Sequence, residues 1–349
     1  MSLIIEKDLL KILEKVDLNK LRDKTFLITG SNGLIGTYIV RLLQLANKKQ
    51  NLSIKVIGIS KNEPNDLLSE IKDDKNFTFY KKNLAEDFEF DEEVDYILHA
   101  ATYAQPAKFL ENKLETIKLN TVVTERLLNI CKENNARFLF VSSSEIYGQA
   151  EKIPTPETYN GNCSTTSVRA PYTESKRLGE TICSVFKETG ADIKIARVSS
   201  VYGPGISIYD KRVLGNFLNK ALTKKSIDLL DSGRQERAWL YVSDCVVILL
   251  NILLYGQSFI YNVGGMESVS IKKLAETICK LTGSKYSLPK KTEKVFMVSA
   301  PDRVQVDISK VIDEFKFKDF VDLKEGLRRT IGWNKEFIKK HNIPTEQDE

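Results

Sequence analysis

Residues 25–36, TFLITGSNGLIG, join a short apolar run to glycines spaced GxxGxxG, and LIGTYIVRLLQLAN (34–47) follows with helical periodicity. A strand that turns this tightly into a helix uses its first glycines to bring the backbone close to a bound group. The third glycine lets the helix pack against the strand. The helix start offers unpaired N–H groups and the positive end of its dipole, which suit a pyrophosphate. Gly30, Asn32, Gly33, Leu34, Ile35 and Gly36 are therefore candidate dinucleotide-binding residues.

Strands are expected within SIKVIGIS (53–60), FTFYKKNL (77–84), VDYILHAA (94–101), RFLFVSSS (137–144) and IKIARVSSVYG (193–203). A single helix is expected through LETIKLNTVVTERLLNICKENN (114–135). Strands alternating with helices over about 200 residues predict an α/β chain with a Rossmann-type doubly wound parallel sheet. After Pro204 the pattern loosens into helices near 211–224, 243–255 and 270–282 with short strands between them. The expected plan is an N-terminal helical extension (1–22), a dinucleotide-binding domain (23–204) and a smaller α/β substrate lobe (205–340) interleaved with the end of the sheet. The acidic tail TEQDE is expected to fray.

Composition narrows the function classes. The chain has 52 basic and 47 acidic residues, both signs interspersed, so its +5 charge requires no nucleic-acid partner. No stretch reaches the roughly 18 apolar residues of a membrane span; CVVILLNILLY (245–255) reads as a buried helix. The N-terminal segment scatters charge through its apolar positions, as an amphipathic helix does and a signal peptide does not. Cysteines 131, 163, 183, 245 and 279 form no CxxC pair, which fits reduced thiols in a cytoplasmic protein. With only His99 and His341, the chain has little material for a Ser-His-Asp triad or a histidine metal site, and no metal is expected.

At the end of the second strand, where an acidic residue would bind the ribose 2′-hydroxyl, stand Ser60 and Lys61. A hydroxyl and a cation there could accept a 2′-phosphate, and a surface lysine would look the same, so NAD and NADP both stay open.

The second chemical signal is APYTESKRLGE (170–180). Tyr172 and Lys176 share a helix face one turn apart. A free tyrosine, with pKa near ~10, is a poor base at neutral pH. A neighbouring ammonium, with an oxidised nicotinamide, would stabilise its phenolate and let it take a proton from a sugar hydroxyl. YxxxK alone is common on helices; its order after the glycine loop and the serines at 142–144 gives it weight.

Over about residues 23–333 the chain resembles the extended short-chain dehydrogenase/reductase family, in particular its nucleotide-sugar members. The resemblance rests on GSNGLIG (30–36), HAA (99–101), VSSSEIYG (141–148), YTESK (172–176), RVSSVYGPG (197–205), RAWLYVSD (237–244) and DRVQVDISK (302–310). It implies that Ser143 hydrogen-bonds the hydroxyl being oxidised, that Tyr172 is the base, and that Lys176 holds the nicotinamide ribose. It further implies cofactor contacts from Asn83, Leu84, Ala100, Ala101 and Asn120. Substrate contacts would come from Ser144, Arg169, Ser200, Arg237 and Arg303, the last two suited to a diphosphate. Ser200 replaces an asparagine frequent in that motif. The family also implies a homodimer built on a four-helix bundle from residues about 107–134 and 171–189.

Ser144 and Glu145 bear on the second chemical step. Dehydratases acting on dTDP-glucose usually carry an acidic pair here; serine followed by glutamate resembles UDP-glucuronate decarboxylases and GDP-mannose dehydratases. Glu145 is then a second acid/base, and UDP-glucuronate decarboxylation leads, with dehydration or epimerisation as alternatives. Against it, decarboxylases usually place an arginine where this chain has Val304. A net NADPH-dependent reductase and a non-catalytic dinucleotide sensor are the remaining readings.

Overall fold

The structure, a computed structural model, describes residues 2–86, 88–289 and 301–345, so the expected frayed tail lies outside them apart from Thr345. Seven strands form the main sheet: β1 (Thr25–Thr29), β2 (Lys55–Ser60), β3 (Phe77–Lys81), β4 (Tyr96–His99), β5 (Arg137–Ser143), β6 (Asp192–Val198) and β7 (Ile260–Val263). Their order is β7-β6-β5-β4-β1-β2-β3, and every pair is parallel. Parallel strands covered on both faces read as continuous apolar runs, which is why β1, β2 and β5 are buried almost throughout. All seven C-terminal ends therefore lie on one edge, and the order reverses beside β1, where α/β sheets bind ligands.

Helix α1 (Leu3–Lys15) buries Ile5, Leu9 and Ile12 and fixes its angle through one polar group. Asp8, buried, accepts hydrogen bonds from Tyr241 Oη (2.6 Å), Tyr38 Oη (3.3 Å) and Arg329 Nη1 (2.8 Å). Burial raises its carboxyl above the usual range, against the hydrogen bonds. Helix α2 (Leu34–Gln50) follows β1 directly.

The helix expected over 114–135 is broken. Helix α3 (Pro106–Glu111) precedes α4 (Lys113–Asn120), and α5 (Val122–Glu133) follows after Thr121, whose φ of −122° and ψ of −77° leave the helical region. Thr121 Oγ1 donates back to Ile117 O at 2.8 Å, competing for the helical carbonyl; such back-bonding bends helices. The apolar period runs through the break, so the sequence pattern does not report it.

Helix α6 (Ala170–Glu188) precedes β6, and α7 (Val213–Thr223) opens the later part of the chain. Helix α8 (Val242–Tyr255) is the apolar run noted above. It is buried everywhere except Asn251 and Tyr255 and packs on α1 and α2. Each fully buried leucine, isoleucine or valine there contributes about 1.5–3 kcal/mol. Helices α9 (Ile271–Thr282) and α10 (Leu323–Lys340) accompany small sheets. One of these sets Glu236–Ala238 between Ser268–Ser270 and Arg303–Val304. The five cysteines are free, four of them buried.

Candidate active site

The glycine loop closes the C-terminal end of β1. Gly30 has φ +73°, and a Cβ there would lie 2.9 Å from the backbone of Ala100 and Ala101. A Cβ on Gly36 would fall 2.5 Å from Gly30 O, so helix α2 reaches the loop only with glycine at that position. At Gly33 only Gly30 O lies within 4 Å of a Cβ, and no side chain caps α2 there. An open loop face ending on an uncapped helix start fits a dinucleotide pyrophosphate. Thr102 Oγ1 and Asn120 Oδ1 are buried without a partner nearby, and Asn120 Nδ2 is tied to Ser175 Oγ at 2.9 Å. Thr102 lies in ATYAQPAKF (101–109), a run similar to the decarboxylases, but was not itself singled out.

His99 is structural. Its Nε2–H donates to Leu119 O (3.0 Å) and its Nδ1 accepts from Thr29 Oγ1 (2.7 Å). Burial, reinforced by Lys176, pushes its pKa down to about 3, so it stays neutral and pins β4 to α4.

Strand β5 ends on Ser143, and residues Ser144–Tyr147 form a 3-10 turn with Glu145 N–H donating to Ser143 Oγ at 3.2 Å. Helix α6 brings Arg169, Tyr172 and Lys176 to the same place. Ser143, at the end of β5, acts on the Tyr172 phenol. Phe109, from α3, stacks on the Tyr172 ring with centroids 4.9 Å apart and planes at 11°. Burial pushes the phenol up to about 12; Ser143 and the charges of Arg212 and Arg169 pull the other way, while Glu145 pushes with burial.

Lys176 shares the helix face, yet its Nζ donates to Val141 O at 2.7 Å and lies 4.5 Å from the Phe140 ring centroid. Burial lowers its pKa to about 7. Its ammonium is turned toward the strand, and Arg212 and Arg169 are the cations that pull the phenol's pKa down. Arg212 is itself gripped by buried Asp210, with Nη2–Oδ2 at 2.6 Å. Arg212 belongs to no recognisable motif, and Phe109 ends ATYAQPAKF (101–109), a run similar to the decarboxylases in which its own role was not legible.

Glu145 meets Arg169, Nη2 lying 2.7 Å from each carboxylate oxygen and Nε 3.0 Å from Oε2. The Arg169 guanidinium also sits 5.2 Å from the Phe109 ring centroid. Arg237 is half-buried; burial lowers its pKa and the charge of Glu145 opposes that. Its Nη1 donates to Glu236 O (2.7 Å) and Asp302 O (3.3 Å). Arg303 stays exposed, paired with Glu236 at 3.1 Å. Val304 lies in register beside Arg237. Ser200 adopts φ +44°, a left-handed conformation in which asparagine is favoured. Ser60 ends β2 and Lys61 follows it, with Lys61 Nζ 2.8 Å from Glu115 Oε1. Asn83, beyond β3 and followed by Leu84, donates to Glu86 at 2.8 Å. The structure thus gathers Ser143, Glu145, Arg169, Tyr172 and Arg237 at one edge of the sheet, with Arg303 exposed on the strand beside Arg237. Among the described residues no group of acidic, histidine or cysteine side chains could hold a metal, and no helix is long and apolar enough to cross a membrane.

Residues 26–264 match the sequence profile of the NAD dependent epimerase/dehydratase family. The chain is 31% identical over 309 residues to UDP-glucuronic acid decarboxylase 1 of Xenopus tropicalis, covering 88% of this chain and 71% of that protein. It is 32% identical over 302 residues to UDP-glucuronic acid decarboxylase 3 of Arabidopsis thaliana, covering 86% of each. A dTDP-glucose 4,6-dehydratase from Streptomyces venezuelae, solved with NAD, superposes with a TM-score of 0.76 at 21% identity, over 93% of this chain and all of that one. That likeness shows the shared fold.

Proposed function

This chain belongs to the NAD dependent epimerase/dehydratase family, and on that premise we propose that it decarboxylates UDP-glucuronate, regenerating its bound cofactor in every turnover. When bound, a nicotinamide dinucleotide accepts hydride from the sugar carbon and later returns it. Gly30, Asn32, Gly33, Leu34, Ile35 and Gly36 would hold the pyrophosphate. Ser60, Lys61, Asn83 and Leu84 would face the adenosine half, and Ala100, Ala101, Asn120, Tyr172 and Lys176 the nicotinamide half.

Ser143 positions the C4 hydroxyl and Tyr172 takes its proton. The resulting C4 ketone makes the C6 carboxylate that of a β-keto acid. Carbon dioxide leaves, the C5–C6 electron pair enters a C4–C5 enolate, and a proton returns to C5. Ser143 and Tyr172 stabilise the oxygen at C4 throughout, and Arg237 contacts the substrate's diphosphate.

The observation that carries decarboxylation over dehydration is the Glu145–Arg169 pair. A carboxylate engaged on both oxygens by a guanidinium is held as a hydrogen-bond acceptor, an arrangement poorly suited to donating to a leaving hydroxyl. Decarboxylation needs no such leaving-group acid. The relatives' names point the same way. Arg237, in register with Val304, supplies a cation close to where decarboxylases carry their arginine.

The test is turnover of a panel of UDP-, GDP-, CDP- and dTDP-sugars with product identification. Carbon dioxide from UDP-glucuronate supports the proposal. A 4-keto-6-deoxy product supports dehydration, an inverted C4 epimerisation, stoichiometric cofactor consumption a net reductase, and no turnover a sensor. We place the activity in the cytoplasm, supplying sugar donors for polysaccharide synthesis, and in a homodimer. Leu114, Ile117, Val122, Leu178 and Val185 on α4, α5 and α6 are large apolar side chains left exposed, as a helical interface requires. Sedimentation at micromolar concentration should show a dimer, and a monomer there would refute that assembly.

A further inference from the structure

The end of β2 looks basic in sequence, yet the structure engages both of its polar groups elsewhere. Ser60 Oγ accepts the Asn32 N–H at 3.0 Å and lies 3.4 Å from Ser31 Oγ, so it braces the glycine loop. Lys61 Nζ lies 2.8 Å from Glu115 Oε1 and donates to Tyr103 Oη at 3.1 Å. Tyr103 Oη donates in turn to Glu115 Oε2 at 3.0 Å. Glu115 stands on α4, so one carboxylate gathers groups from the segments after β2 and β4. Those strands lie on both sides of β1, whose end is the glycine loop.

We propose that Glu115 is a specificity-determining residue of the dinucleotide site: it cancels the charge of Lys61 and offers a carboxylate near the adenosine ribose, so that a 2′-hydroxyl is accepted and a 2′-phosphate refused. The inference rests on the reading that the glycine loop holds a nicotinamide dinucleotide. A 2′-phosphate brings up to two negative charges and needs a cation free to meet it. A lysine–glutamate pair offers no net charge, and its carboxylate repels the phosphate; a 2′-hydroxyl can donate to that carboxylate. Protonation tendencies agree with a formed pair. The Glu115 hydrogen bond raises Lys61, while burial of Glu115 is outweighed by Lys61 and Tyr103, which hold its carboxyl low. Glu115 thus takes over, from a helix, the acidic role that the end of β2 lacks.

The test titrates NAD and NADP separately into full-length protein stripped of bound dinucleotide, with calorimetry as the readout. The wild type is expected to bind NAD at least about tenfold tighter than NADP. Glu115→Gln, which keeps shape and removes charge, is expected to improve NADP binding by about tenfold, and adding Lys61→Ala to it should remove that gain. Lys61→Ala alone leaves the carboxylate unopposed and should widen the NAD preference. An NADP/NAD ratio unmoved by Glu115→Gln, or narrowed by Lys61→Ala, overturns this inference while leaving the cofactor reading standing. Binding of neither dinucleotide by the wild type overturns both.

Discussion

Arg169 grips Glu145 through both carboxylate oxygens, and the same guanidinium rests on the Phe109 ring that stacks against Tyr172. The base and the second carboxylate are thereby fixed relative to each other by one arginine and one phenyl ring. Glu145→Gln keeps the shape and removes the charge; kcat is expected to fall about 10²-fold, with oxidised sugar detectable by mass spectrometry. Arg169→Lys, which cannot fork, should show a similar loss. Normal product yield in Glu145→Gln would make this carboxylate structural.

Tyr172 ionises only against its burial, so the rate should rise with pH as the phenolate forms. Tyr172→Phe should lower kcat by at least about 10³-fold while dinucleotide binding, read by calorimetry, is retained. Arg212 stabilises the phenolate, so its loss raises the phenol's pKa. Arg212→Gln is expected to move the rising, acid-side limb of the kcat profile upward by roughly one pH unit, costing roughly tenfold at neutral pH. A limb that stays in place would show that Arg212 does not act on the tyrosine.

Asp244, on the first turn of α8, accepts the Val321 N–H at 2.7 Å, and burial raises its pKa from 3.8 to about 6. A folded-state pKa above the unfolded one means that the native state holds the extra proton. This contribution is fully present below about pH 4 and lost as pH rises through about 6. The gap corresponds to about 3 kcal/mol at most. Asp244→Asn should therefore raise Tm at pH 7 more than at pH 4; an equal change at both would contradict the assignment.

The sheet was legible because each parallel strand is a contiguous apolar run, and the glycine loop, Ser143 and Tyr172 because local motifs carry them. The partners of Lys61 and Lys176 were not legible for one reason. A sequence gives a cation's position along the chain but not its partner, and here those partners are Glu115 on α4 and the Val141 carbonyl. Phe109, Arg212 and Glu115 reach the site from segments whose approach is set by tertiary packing, so no spacing announces them. The break at Thr121 was hidden because the apolar period continues across it, although the threonine that causes it was in plain view.

The most direct measurement follows UDP-glucuronate labelled at its C6 carboxyl through turnover by the wild-type protein. The account predicts that the label leaves as carbon dioxide, one per sugar converted, with no net change in nicotinamide oxidation state. A product that keeps the labelled carboxyl, with C4 inverted or left as a ketone, would contradict it.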